Sequence, residues 1–276
     1  DLDFAAASTA FDYLADGEVL TLTYTVEIDD HDGGTTPQTF VVTITGTNDI
    51  PSIAGDVTGD VTEDLAVDGA DHINTTGLLT IADADAGQSN FTAQTGTAGS
   101  NGYGSFTLAA NGTWTYTADN TQTAIQELGL NDFITDSFIA FSSDGTASQL
   151  VTVTIHGTND IPAIAGVVTG DVTEDVAVDG ADHINTTGLL TIADADAGQF
   201  NFTAQTGTAG SNGYGSFTLA ANGTWNYAAD NTQTAIQQLD DNDFITDSFF
   251  AVSSDGSANQ LVIVTIHGTT DYLLGM

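Results

Sequence analysis

The sequence predicts an all-β protein made of tandem sandwiches, each with about seven short strands. Three observations carry this. Stretches rich in Thr, Val, Ile, Phe and Tyr alternate with a period of two, the signature of half-buried strands. Turn signals such as Asn111-Gly112 and Asp144-Gly145 separate them. One junction also recurs at a fixed long spacing, which marks an array of equal units. It reads Gly46-Thr47-Asn48-Asp49-Ile50-Pro51, then Gly157-Thr158-Asn159-Asp160-Ile161-Pro162, then a weaker Gly268-Thr269-Thr270-Asp271, each 111 residues after the last (157 − 46 and 268 − 157).

Residues 49–159 and 160–270 are near copies, differing at 15 of their 111 positions. The expected division is a truncated repeat at 1–48, full repeats at 49–159 and 160–271, and a tail at 272–276. Residues 1–48 match only the second half of a repeat: Tyr24 aligns with Phe138, and Glu18 with Asp132 and Asp243. That piece lacks its front strands and should expose an apolar edge.

Within a repeat, strands are expected at Thr76 to Ala82 and Gln88 to Thr97. Phe106 and Leu108 alternate before the Asn111-Gly112 hairpin, and Trp114 and Tyr116 alternate after it. Thr121 to Leu128 suits a helical turn or two, and Ile134 to Ser142 pairs with Ala147 to Ile155 around Asp144. Such a series fits a sandwich of the immunoglobulin or cadherin type. Trp114 and Trp225 lie on the same alternation as Tyr116 and Tyr227, which makes them core residues before carbohydrate platforms.

Composition narrows the partners. The 276 residues include 38 acidic side chains, five histidines, and no lysine, arginine or cysteine, for a formal net charge of −38. Two carboxylates 5 Å apart repel by roughly 3 kcal/mol at an effective dielectric near 20. Clustered carboxylates therefore need dissolved cations, bound metal or protons. Nucleic acid is excluded as a partner because phosphate binding needs basic side chains, and anionic membrane surfaces are disfavoured for the same reason. No apolar run approaches the ~20 residues that span a bilayer, so no membrane insertion is expected. The chain starts inside a repeat and reads as an internal piece of a longer array.

Following seven antiparallel strands end to end gathers the acids. The first strand is expected to start near Thr62-Glu63-Asp64 at the leading end, and the second to return there at Asp83-Ala84-Asp85. Glu63, Asp64, Asp83, Asp85 and Asp144 would then meet Asn48 and Asp49 at one pole, with Glu18 facing them from the preceding unit. The next junction repeats the set as Asn159, Asp160, Glu174, Asp175, Asp194, Asp196 and Asp132. An all-oxygen group of this kind suits Ca²⁺, which takes six to eight oxygens in flexible geometry; magnesium demands a tight octahedron. Zinc is disfavoured without cysteine or paired histidines. The competing reading is a set of solvated acidic turns. No EF-hand loop is present. His72, His183, His156 and His267 read as solvated or hydrogen-bonded histidines.

The motifs Val61-Thr62-Glu63-Asp64, Ile81-Ala82-Asp83-Ala84-Asp85-Ala86-Gly87, Gly102-Tyr103-Gly104-Ser105-Phe106, Asn111-Gly112-Thr113-Trp114 and Gly157-Thr158-Asn159-Asp160 resemble the VCBS repeat family. These are cadherin-like repeats of large bacterial adhesins, often exported by type I secretion as RTX-type proteins. The resemblance covers essentially the whole chain. It implies Ca²⁺-rigidified tandem units at the cell surface or outside the cell, acting in adhesion or biofilm formation. It places metal among Asn48, Asp49, Glu63, Asp83 and Asp85, and among Asn159, Asp160, Glu174, Asp194 and Asp196. The third junction departs from the pattern at Thr270 and after Asp271.

The resulting expectation is a structural extender whose partners are its neighbouring repeats, with a glycan or host or biofilm surface reached through other domains. The alternative is a carbohydrate- or partner-binding module in tandem copies, with Tyr103 and Tyr214 as the exposed aromatics. An enzyme is not expected: no Gly-x-Ser-x-Gly or His-Glu-x-x-His motif occurs.

Overall fold

A computed structural model describes residues 3–270. The third junction's Asp271 and the tail at 272–276 lie outside the described residues. The chain divides into two units, Asp1–Ile125 with Asp132–His156, and Gln126–Asn131 with Gly157–Met276.

The first unit opens with one 3₁₀ turn, Ser8–Ala10, and a long hairpin of β1 (Val19–Asp29) and β2 (Thr35–Thr45), paired without a slip from Val19↔Thr45 to Asp29↔Thr35. The repeat that follows contains β3 (Ser52–Gly55), β4 (Thr58–Thr62), β5 (His72–Ala82), β6 (Gln94–Ala98), β7 (Gly104–Leu108), β8 (Thr113–Asp119), α1 (Thr123–Gln126), β9 (Phe133–Phe141) and β10 (Ser148–His156). These strands form a five-stranded sheet of order β3-β5-β8-β7-β6 and a three-stranded sheet of order β4-β10-β9.

The second unit repeats the pattern with β11 (Ala163–Gly166), β12 (Thr169–Thr173), β13 (His183–Ala193), β14 (Gln205–Ala209), β15 (Gly215–Leu219), β16 (Thr224–Asp230), α2 (Thr234–Gln237), β17 (Phe244–Val252) and β18 (Asn259–His267). Its sheets run β11-β13-β16-β15-β14 and β12-β18-β17.

The sandwich class holds, with one refinement that matters for the acids. The leading strand is divided between the two sheets. Gly55, at φ +107°, turns the chain after β3, a conformation that L side chains resist. β3 pairs antiparallel with β5, while β4 crosses over and pairs parallel with β10, Thr58↔Thr152 through Thr62↔His156. Two further boundaries differ from expectation: β5 begins at His72, and the stretch after Gln88 becomes strand only at Gln94.

Inward positions of the two sheets meet in one core per repeat. Trp114 and Tyr116 are fully buried, as the alternation requires, and the Trp114 indole N–H donates to the Asp56 carbonyl at 2.8 Å. Phe106 of the larger sheet stacks on Phe138 of the smaller, with centroids 4.5 Å apart, and tilts against Tyr116 at 4.6 Å. Phe217, Tyr227 and Phe249 repeat this in the second unit.

Asp136 also points into this core and has no exposed surface. Its carboxylate accepts backbone N–H bonds from Asn101 (2.9 Å), Tyr103 (3.1 Å) and Gly104 (3.0 Å), and the Tyr116 hydroxyl at 3.3 Å. Burial, followed by the Asp136 charge, pushes the Tyr116 hydroxyl far above its ordinary pKa, so it stays a donor. Asp247 is held likewise by Asn212, Gly215 and Tyr227. The bond network fastens the β6–β7 loop to β9 and so ties one sheet to the other. Gly99 leaves room for it, since a Cβ there would lie 1.9 Å from Asp136 Oδ2.

Asp136→Ala would strand three backbone donors, each costing about 1–3 kcal/mol when buried and unpaired. Urea unfolding should show the repeat destabilised by at least about 3 kcal/mol after partial relaxation. A loss below about 1 kcal/mol would contradict this account of the carboxylate.

Candidate functional site

The first acidic pole forms where the junction meets two loops of the following repeat. Pro51 closes the junction, and β3 then pairs with the far end of β5 (Ser52↔Ala82), so Asp49 arrives beside the loop holding Asp83 and Asp85. The Asp49 N–H donates to Asp85 Oδ2 at 2.9 Å, and the Asp85 N–H to Asp83 Oδ1 at 3.0 Å. The Asn48 amide donates to the Asp49 carbonyl (2.7 Å) and to Asp144 Oδ2 (3.2 Å) in the β9–β10 turn. The preceding piece supplies a backbone clamp, with the Ala86 N–H donating to the Tyr13 carbonyl at 3.0 Å.

The second unit builds the same pole. The Asp160 N–H donates to Asp196 Oδ2 (3.0 Å), the Asp196 N–H to Asp194 Oδ1 (3.1 Å), and the Asn159 amide to Asp255 Oδ2 (3.1 Å). Here the Ala197 N–H donates to the Glu127 carbonyl at 3.1 Å.

The pole treats its charges unequally. Burial, then the carboxylates of Asp85, Asp12 and Asp83, raise the pKa of Asp49. Asp144 behaves oppositely: burial pushes it up, but hydrogen bonds from Ser142, Thr146 and Asn48 outweigh that and hold it down at about 2. Asp255 is held at about 2 in the same way, by Ser253, Ser257 and Asn159. Asp85 is only 1% exposed. Its Oδ1 and Asp83 Oδ2 are buried without a hydrogen-bond partner, as are Asp194 Oδ2 and Asp255 Oδ1 in the second unit. Oxygens left so in a chain lacking lysine and arginine fit a cation's ligands. Among the described residues, no group of three or more His, Cys, Asp or Glu side chains stands ready-formed around an ion.

The expected membership needs correction. Glu63 and Asp64 do not join Asn48, Asp49, Asp83 and Asp85. Because β4 runs parallel to β10, Glu63 emerges beside His156, whose carbonyl accepts its N–H at 3.0 Å, at the opposite end of the sandwich. Asp64 sits at that same end and exchanges two bonds with Asn120 (3.1 and 2.7 Å). Glu174 and Asp175 are likewise separated from Asp194 and Asp196: the Glu174 N–H meets the His267 carbonyl, and Asp175 pairs with Asn231. Glu174 Oε1 instead accepts the Thr269 N–H at 2.8 Å, so this glutamate belongs with the junction that follows its repeat.

Glu18 lies beside Gly46 through its carbonyl, but its exposed side chain accepts the Ala15 N–H at 3.2 Å. Asp132 is exposed just ahead of β9. Tyr103 and Tyr214, expected to be exposed, are half-buried, and Tyr214 packs against the core. His156 and His267 are hydrogen-bonded to Asp60 and Asp171, each at 2.9 Å.

Sequence reasoning missed Asp12, Asp255 and the Tyr13 and Glu127 carbonyls. Asp255 was accessible from its 111-residue spacing to Asp144 (255 − 144); main-chain oxygens leave no trace in side-chain identity.

Paired sandwiches with an acidic junction loop at the leading pole define a tandem cadherin-like repeat protein. The chain belongs to the bacterial cadherin-like domain family, whose model matches residues 48–157 and 159–268. No curated protein matches it. Among solved structures it is similar to a protocadherin gamma-B4 extracellular domain, at 18% identity and TM-score 0.47, over 91% of this chain and 37% of that one. It is also similar to mouse clustered PcdhgC3 EC1-3, at 15% identity and TM-score 0.43, over 93% and 78%.

The raised pKa of Asp49 gives a signed prediction. Its folded state favours the neutral acid, so the penalty is absent below the unfolded pKa of about 3.9 and present at neutral pH. In EDTA, Asp49→Asn should raise the melting midpoint at pH 7 and leave it nearly unchanged at pH 3. A lower midpoint at pH 7 would refute the repulsion.

Proposed function

We propose that this chain is a structural extender segment of a secreted or cell-surface bacterial adhesin, stiffened by Ca²⁺ at its repeat junctions. The observation that carries the reading is the Asp83–Asp85 loop, with two buried carboxylate oxygens that accept no hydrogen bond in a chain without lysine or arginine. Asn48, Asp49, Asp83, Asp85 and Asp144 would hold the ion in one unit, and Asn159, Asp160, Asp194, Asp196 and Asp255 in the other.

Bound calcium supplies two positive charges and a preference for six to eight oxygens, at affinities of 10⁻⁴ to 10⁻³ M in extracellular modules. The residues of the chain do the remainder. Asn48 and Asp49 belong to the connection leaving one repeat, while Asp83, Asp85 and Asp144 belong to the next. Drawing their oxygens together fixes the connection against the following sandwich. Without the ion, the same carboxylates repel one another and loosen it.

Membership in the bacterial cadherin-like family and the resemblance of the motifs to VCBS repeats support an adhesion role outside the cell. An RTX-type protein, type I export and biofilm formation are parts of that proposal. The neighbouring repeats are its immediate partners, and targets would be met by other domains. The reading is non-catalytic.

Calcium titration of the EDTA-treated chain should raise the melting temperature and show binding by calorimetry, with millimolar magnesium a poor substitute. No response to millimolar calcium would sink the proposal. Asp85→Ala should weaken binding at the first pole by about 10- to 100-fold or more, the scale seen even for residues behind metal ligands. Asp119→Ala, at the exposed end of β8 in the same repeat, should leave binding unchanged.

A further inference from the structure

Each full repeat carries one strand whose composition favours pairing and whose sheet gives it a neighbour on one side only. β9 packs Phe133, Ile134, Phe138, Ile139 and Phe141 into nine residues without proline or glycine, and its one charge, Asp136, is buried. A β-rich, nearly uncharged segment of this length is the kind that pairs with copies of itself. β9 is also the outer strand of its sheet, bonded to β10 alone. Ile139 and Phe141 add an apolar strip on the solvent face, 46% and 45% exposed. Edge strands of this description are commonly blunted by lysine or proline. The chain has no lysine, and neither β9 nor β17 contains proline.

Amide side chains do the blunting here. Antiparallel pairing uses every second residue, so the carbonyls of Thr135, Ser137, Ile139 and Phe141 point away from β10. All four are taken by the chain between residues 92 and 101. The Thr92 and Ser100 N–H groups donate to the Phe141 and Ser137 carbonyls, each at 2.9 Å. Between them β6 shifts register from Gln94 to Thr97, and the Gln94 amide spans the gap to the Ile139 carbonyl at 2.9 Å. The Thr97 hydroxyl donates to Gln94 Oε1 at 3.3 Å, which fixes the end of the amide that faces β9. The Asn101 amide completes the row on the Thr135 carbonyl at 2.7 Å. In the second unit, Gln205 meets Phe250 (2.8 Å), with Thr208 on its Oε1 (3.2 Å), and Asn212 meets Thr246 (2.8 Å).

We infer that the outer edges of β9 and β17 are self-pairing surfaces held shut by the amides of Gln94, Asn101, Gln205 and Asn212. The occupant they exclude is the same edge of a second copy of this chain. A copy of the strand offers main-chain donors at the spacing of the capped carbonyls, and it continues the apolar strip of Ile139 and Phe141. Charge favours this approach over others. The chain carries a net charge of −38, yet neither β9 nor β10 exposes an acidic side chain, so two copies can meet there without opposing carboxylates. Nothing in this inference depends on calcium at the poles.

The test combines Gln94→Ala with Gln205→Ala, which leaves the bonds of Asp136 and Asp247 in place. Light scattering is read in EDTA at about 100 µM protein and about 0.15 M salt. The parent chain should give the mass of a monomer, and the variant roughly twice that or more, reversing on dilution. Amide exchange in β9 and β17 should slow as the variant associates. Adding Ile139→Asp and Phe250→Asp should restore the monomer, because paired copies would set like charges against each other. Thr76→Val with Thr187→Val is the control: it removes one hydroxyl bond per repeat, to the Trp114 and Trp225 carbonyls, away from these edges. It should stay monomeric. If circular dichroism shows the alanine pair unfolded, Gln94→Met with Gln205→Met takes its place and is read in the same way. A folded variant that remains monomeric overturns the inference. Equal association of the threonine control does so too, since lost stability would then be the cause, as does a parent chain already self-associated through these strands.

Discussion

Every carboxylate in this protein must be satisfied without a lysine or arginine, and the fold can be read as a set of answers to that constraint. Asp136 and Asp247 are surrounded by main-chain N–H groups and a tyrosine hydroxyl, which makes them rigid internal ties. Asp64 and Asp175 are matched to asparagines in reciprocal pairs. Histidines, the only groups able to become side-chain cations, meet exposed aspartates. The Asp83–Asp85 loop, the Asp194 loop and the turn at Asp255 differ, since hydrogen bonding there leaves carboxylate oxygens over. An internal tie lowers its energy by folding alone, whereas the poles keep carboxylate oxygens that no hydrogen bond answers.

Much of the architecture was legible. Alternation located the hairpins and put Trp114 and Tyr116 inside, and the near-identity of the two full repeats fixed their period. The division of the leading strand was not legible. Alternation runs through Ile53 to Val61 without marking which sheet each half joins, because the partners, β5 and β10, lie about 30 and about 95 residues away in sequence. The error over Glu63 and Glu174 follows from this. A single antiparallel first strand would begin at the glutamate; the true strand ends there.

Asp136 did leave a signal. Within Phe133 to Phe141 it lies in phase with Phe138 and Ala140, so an acid occupies a core position. A buried acid needs donors, and the glycines at 99, 102 and 104 mark a loop whose backbone can approach closely. At the poles, Asp83 and Asp85 were legible because side chains carry that chemistry. The clamping carbonyls of Tyr13 and Glu127 depend on backbone direction alone.

The parallel β4–β10 pairing has a mechanical consequence. In the repeat beginning at Asp49, the chain enters at the pole of Asp85 and leaves past His156 at the other, and β4 and β10 lie side by side between them. Tension along the chain pulls these two strands in opposite directions along their length. The hydrogen bonds joining Thr58–Thr62 to Thr152–His156 are then loaded in shear, together, and must fail as a group. A hairpin pulled apart from its open end would lose its bonds one at a time at low force. A repeat wired in this way resists stretching through its topology, whatever the state of the acidic poles.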